Sequence, residues 1–99
     1  MTNRLTEIQI IPIKPQNGLV AFTSFVLDNS LYLSSIGIMT RLNGGYRLVY
    51  PTKKVGNKSL NVFYPINKKF AQKIEKEVTE KLEKVMNQKN DRYNQANAR

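Results

Sequence analysis

Three observations predict an α+β fold, in which an antiparallel sheet of about five short strands carries one packed C-terminal amphipathic helix. Clusters of turn-forming residues separate β-branched, leucine-rich and aromatic runs over the first two thirds of the chain. At Asn67 the apolar period changes from about two residues to three or four. The length of 99 residues with 40% hydrophobic content fits one domain around one core.

The strand-like runs fall at residues 5–13, 19–27, 31–39, 46–50 and 60–66. Between them lie Pro15-Gln16-Asn17-Gly18, Asp28-Asn29-Ser30, Asn43-Gly44-Gly45 and Gly56-Asn57-Lys58. Asn and Gly tolerate positive φ, and Asx side chains bond their own backbone, so each cluster lets a strand reverse. A meander of about five strands follows.

Alternation in the second run places Val20, Phe22, Ser24 and Val26 on one face and Leu19, Ala21, Thr23, Phe25 and Leu27 on the other. Neither face is fully polar. A strand apolar on both sides is normally covered on both, here by the helix on one side and by a second subunit or extra strands on the other.

Ala71, Ile74, Val78, Leu82 and Val85 recur at helical spacing, with Glu and Lys between them. Asn67 fits the N-cap after Pro65-Ile66, and Lys73/Glu77, Lys76/Glu80 and Glu80/Lys84 stand four residues apart. The helix is expected to end near Met86 or Lys89. Residues 1–86 form the expected domain, and the Asn- and Gln-rich segment 87–99 has too little to bury to offset its ordering entropy, so a disordered tail is expected.

The chain contains no Cys and no His. Disulfides, thiolate sites, cysteine nucleophiles and imidazole chemistry are thereby removed, and no metal or other cofactor is expected. The longest apolar run, Leu19-Val20-Ala21-Phe22, is far below the roughly 20 residues of a membrane span, and no basic-then-apolar signal pattern opens the sequence. A cytoplasmic protein is expected.

Catalysis has little support. Glu7 and Asp28 are the only carboxylates before residue 67, and Asp28 beside Asn29 reads as a turn former. The later acids alternate with Lys as on a solvated helix face, and no His is present to activate a serine. Asn43-Gly44-Gly45 lacks the Gly-Lys-Ser/Thr continuation of a phosphate loop. The protein is read as a binding protein and not an enzyme.

Sixteen Lys and Arg against seven Asp and Glu give a net charge of +9, which favours polyanionic partners. Basic residues gather around Tyr46-Arg47-Leu48-Val49-Tyr50-Pro51-Thr52-Lys53-Lys54 and Lys58, where cations would meet phosphates and tyrosines would stack on bases. The same pattern is compatible with solubilising loop lysines and core tyrosines. Lys68 and Lys69 oppose the helix macrodipole unless an anion lies near the helix start.

The order of these motifs resembles the SpoVG family of stage V sporulation protein G, or septation regulators, over roughly residues 5–85. A strand ending in Leu-Asp is similar to Phe25-Val26-Leu27-Asp28, and the next spaced-aliphatic strand to Leu31 through Ile38. The family's glycine turn, strand and Pro-Ser-Lys-Arg segment resemble Gly45 through Tyr50 and Pro51-Thr52-Lys53-Lys54; its Pro-Ile-Asn junction stands at Pro65-Ile66-Asn67. The resemblance implies a small dimeric α+β protein that binds DNA, in some members RNA, and regulates septation, cell division and sporulation-type gene expression.

Thr52 and Lys54 depart from the family's Ser and Arg, and the following loop lacks its Pro-Asp-Gly. Lysine lacks the bidentate fork of arginine, which weakens any carry-over of base preference. Asn61-Val62-Phe63-Tyr64 replaces Asp-Ile-x-His, so those two roles do not transfer.

The reading combines Lys53, Lys54 and Lys58 in one basic loop, Arg47 and Arg41 extending it, and Lys68 and Lys69 closing it at the helix start, acting on DNA or RNA as a homodimer. The alternative is a protein-interaction adaptor that acts on division or regulatory proteins without nucleic acid, drawing on the two-sided apolar strands.

Overall fold

Asn17 and Gly18 both take positive φ, 54° and 91°, as a two-residue type I′ hairpin turn requires. They join the strands Leu5–Gln16 (β1) and Leu19–Leu27 (β2). The computed structural model describes residues 3–97, with side chains described as far as Asn87. Asp28 and Asn29, at φ 52° and 54°, turn the chain into Leu31–Thr40 (β3), and Gly44 and Gly45 turn it into Tyr46–Val49 (β4). These strands form one antiparallel sheet in the order β1-β2-β3-β4.

Asp28 does more than turn the chain. Its Oδ1 accepts from the Arg4 amide at 2.7 Å while its own N–H donates to the Arg4 carbonyl at 2.8 Å. The turn after β2 is thus fastened to the start of β1, which agrees with the structural role expected of this carboxylate.

The fourth expected reversal, at Gly56, belongs to a separate two-stranded sheet formed by Thr52–Val55 (β5) and Lys58–Asn61 (β6). Gly56, at φ 61°, supplies the positive φ needed at the first central position of a type II′ turn. The segment expected to be a basic loop is therefore a β-hairpin. The run expected as a strand over 60–66 pairs only to Asn61, and after it the chain passes through Pro65 without a ladder.

The sheet's covered face carries Ala21, Phe25, Ile36 and Ile38, all buried together with Leu5. Against them lie Ile74, Val78 and Leu82 of the helix Lys68–Asn97 (α1). The Asn67 Oδ1 accepts from the Phe70 amide at 2.9 Å, the N-cap bond expected from sequence. Asn67→Ala should cost about 1 kcal/mol of stability, readable as a lowered urea midpoint with an unchanged slope. α1 continues past the end expected near Met86 or Lys89 as far as Asn97, and the polar tail expected over 87–99 lies, Asn87 apart, outside the residues described to side-chain level.

Alternation along β2 holds from Ala21 to Leu27 but reverses before it. Leu19 pairs with Met39 and Ala21 with Ile38, so Val20 is an inserted residue in the ladder. Val20 packs on the core and Leu19 approaches Gly37 on the open face, the opposite of the even alternation expected. Two further irregularities flank Phe25 and Ser24. Glu7-Ile8 of β1 and Ser34-Ser35 of β3 each place two residues opposite one, with Glu7 at φ 52° and Ser35 at φ 64°.

Candidate nucleic-acid interface

In the β5–β6 hairpin Lys53 pairs with Leu60, Lys54 with Ser59 and Val55 with Lys58. Directly paired residues project to the same side, and successive residues to opposite sides. Lys53, Val55, Lys58 and Leu60 therefore share one face, while Lys54 lies on the other with Ser59. All eight strand residues of the hairpin are exposed. The Val62 amide donates to the Pro51 carbonyl at 3.0 Å and closes the hairpin at its base.

Arg47 lies opposite Met39, on the sheet face turned away from α1, and its guanidinium reaches the Met39 sulfur at 3.7 Å. Arg41 is placed differently. Its Nη2 meets Glu75 Oε1 at 2.9 Å and its Nε donates to the Tyr46 carbonyl at 2.9 Å. This pair links the β3–β4 turn to α1, so the charge of Arg41 is directed at Glu75. Lys68 and Lys69 are exposed in the first turn of α1, where Asn67 already occupies the Phe70 amide.

The structure thus brings Lys53 and Lys58 together on one hairpin face. Lys54 stands on the reverse, Arg47 on the open sheet face, Arg41 against the helix, and Lys68 and Lys69 at the helix start. Of the other charged pairs expected on α1, Lys73 and Glu77 approach to 3.9 Å, and the Lys73 ammonium also donates to the Asn3 carbonyl.

The tyrosines of the basic stretch are core residues. Tyr46 and Tyr50 pack on the hydrophobic cluster, and Tyr50 meets Phe63 edge to face with ring centroids 6.1 Å apart. The Tyr50 hydroxyl is buried without a hydrogen-bond partner among the described residues. Burial first, and then the charge of Glu75, push its pKa from 10.0 up to about 12.

Below pH 10 the tyrosine is protonated in the folded and unfolded chain alike. Above it the unfolded chain releases the proton first, so Tyr50 stabilises the fold less as pH rises from 10 through about 12. Tyr50→Phe should remove this component from the alkaline stability profile. It should also be neutral or stabilising at pH 7, since it deletes a buried hydroxyl with no partner; denaturant titrations of the two proteins at pH 7 and pH 11 check both expectations.

Sequence reasoning missed the aromatics that are exposed. Phe22 and Tyr32 open onto the sheet face opposite α1, at 38% and 65% exposure, beside Ile11 and Val49. The alternation already set Phe22 apart from Phe25, but the inserted residues that fix Tyr32 relative to it leave no mark in composition.

Among the described residues no group of three or more His, Cys, Asp or Glu is placed to hold a metal ion. No described helix is long and apolar enough to cross a membrane.

The model of the SpoVG family matches residues 3–84, which takes in the whole sheet, the basic hairpin and α1 as far as Lys84. A protein of Treponema denticola named "Putative septation protein SpoVG" is 28% identical over 82 residues, covering 82% of this chain and 87% of the relative. With the match extending over both sheets and the helix that covers one of them, this chain belongs to the SpoVG family.

Proposed function

We propose that this protein is a septation- and sporulation-associated regulator that acts by binding nucleic acid, with the β5–β6 hairpin as its principal phosphate-contacting element. The observation that carries the reading is the placement of Lys53, Lys54 and Lys58 on an exposed hairpin with no carboxylate of its own, in a chain of net charge +9. A β-ribbon of this kind fits a nucleic-acid groove, and lysines on both of its faces reach phosphates of both flanking strands.

Arg47 adds a cation on the open sheet face, and Lys68 and Lys69 add two at the helix start. Arg41 is held by Glu75 and contributes least. A homodimer would present two hairpins to one duplex, and DNA shape would then set preference more than base-edge contacts do. Sedimentation of the free protein reads that assembly.

The deciding experiment is a fluorescence-anisotropy titration of labelled duplex DNA, single-stranded DNA and RNA at several salt concentrations, with heparin as competitor. Salt-dependent binding to nucleic acid that persists against heparin supports the reading, and equally weak binding to every polyanion overturns it. The adaptor reading draws on the exposed apolar residues of the open sheet face. A division protein retained on the immobilised chain from nuclease-treated lysate would favour it.

A further inference from the structure

We infer that the open face of the four-stranded sheet binds unpaired bases, so that the nucleic acid recognised includes a single-stranded segment whose bases stack on Phe22 and Tyr32 while its phosphates reach the basic hairpin. The inference rests on the nucleic-acid reading above and adds to it a second site and a substrate class.

Two shallow concavities of about 380 and 310 Å³ lie on this face and share Phe22 and Ser35. The first extends to Tyr32, with Ser24 and Ser34 in its lining. The second extends past Gly37 and Val49 to Pro51 and Thr52. Together they make a trough that begins at an exposed tyrosine, passes an exposed phenylalanine and ends at Thr52, where β5 begins, on the hairpin face that also carries Lys54.

The chemistry along the trough suits bases on a charged strand. Aromatic faces stack on any base, and hydroxyls of Ser34 and Ser35 offer donors and acceptors to base edges. Leu19 packs over Gly37, where a Cβ would stand 3.0 Å from its Cδ1, so an apolar side chain lies in the lining of the second concavity. Ser35 holds a left-handed conformation, φ 64°, at the junction of the two concavities, a strain of the kind that concentrates at binding sites.

Charge favours a polyanion over a second copy of the chain on this face. Arg47 projects from it and Lys54 stands beyond its end, so a second copy seated there would bring a chain of net charge +9 against these cations. A strand of nucleic acid meets the same cations with opposite sign.

The test compares three labelled ligands on the full chain: a single-stranded RNA, an abasic strand of the same length and charge, and a duplex. The wild-type protein should prefer the base-bearing strand to the abasic one. Phe22→Leu and Tyr32→Leu, which keep apolar bulk and remove the ring, should each weaken base-bearing strand binding about tenfold and leave duplex binding and the salt slope unchanged. Replacing Lys53, Lys54 and Lys58 by Ala should weaken all three ligands and preserve the preference for bases.

Equal wild-type affinity for the base-bearing and abasic strands would overturn the inference while leaving the phosphate-binding reading intact. Loss of a dimer in sedimentation on substitution of Phe22 or Tyr32 would assign the face to a second copy and overturn it as well. Absence of binding to strand and duplex alike would remove the nucleic-acid reading and this inference together.

Discussion

The Lys53→Ala, Lys54→Ala, Lys58→Ala triple variant should lose about a hundredfold in duplex affinity at 0.15 M salt, and the slope of log K against log salt should fall by about 2.7. Each phosphate contact on duplex DNA contributes about 0.9 to that slope through released counterions. The three side chains stand on an exposed hairpin, and none is found in an ion pair among the described residues. Their removal lowers the net charge from +9 to +6, so a local effect must be separated from a global one.

Substituting Lys76, Lys81 and Lys84 of α1 by Ala makes the same change in charge at exposed positions of the helix. If both triple variants shift affinity and slope alike, the hairpin has no special role. If only the hairpin variant does, binding is localised to it, with a loss that is uniform across sequences because phosphates carry no base information.

Phe25→Ala is expected to be the most damaging single truncation for folding. Phe25 is fully buried, pairs with Leu33 across the sheet and belongs with Ile74 to the core cluster on which Leu27, Tyr50 and Phe63 pack. Removing a buried phenyl ring costs about 3–5 kcal/mol, set against a total stability of about 5–15 kcal/mol for a domain. Urea denaturation followed by circular dichroism should show the midpoint falling sharply. Leu42→Ala, at a fully exposed position in the β3–β4 turn, should stay within about 0.5 kcal/mol of the parent. A Phe25→Ala protein as stable as the parent would place the main core elsewhere.

The elements that were legible in the sequence are those governed by local chemistry. Asn17-Gly18 and Asp28-Asn29 took the positive φ their side chains permit, and Asn67 capped the helix whose apolar period begins after it. The burial of Ile74, Val78 and Leu82 follows from their spacing alone. The Thr52–Val55 strand was not legible, because Thr-Lys-Lys-Val offers no apolar alternation and its ladder is satisfied by a neighbour without a core. Residues 62–66 read as strand through their β-branched and aromatic content, and Pro65 together with the lack of a pairing partner decided otherwise.

The candidate site divides in the same way. Lysines at 53, 54 and 58 were visible as a cluster, but their division between two faces depends on the register set by Gly56. The pairing of Arg41 with Glu75, 34 residues away, is a tertiary event that no local pattern announces. Tyr46 and Tyr50 were compatible with stacking or with the core from composition alone, and packing placed both in the core.

The bulge at Glu7 bears on self-assembly. β1 is an outer strand of the sheet, and an outer strand offers its free amides and carbonyls as a template for another chain. Here that template is broken three times: Glu7 turns left-handed, and Pro12 and Pro15 have no amide hydrogen to give. The opposite border, β4, is only four residues long. Neither border presents a long regular row for sheet extension, so the folded sheet is a poor template for edge-to-edge pairing with another chain.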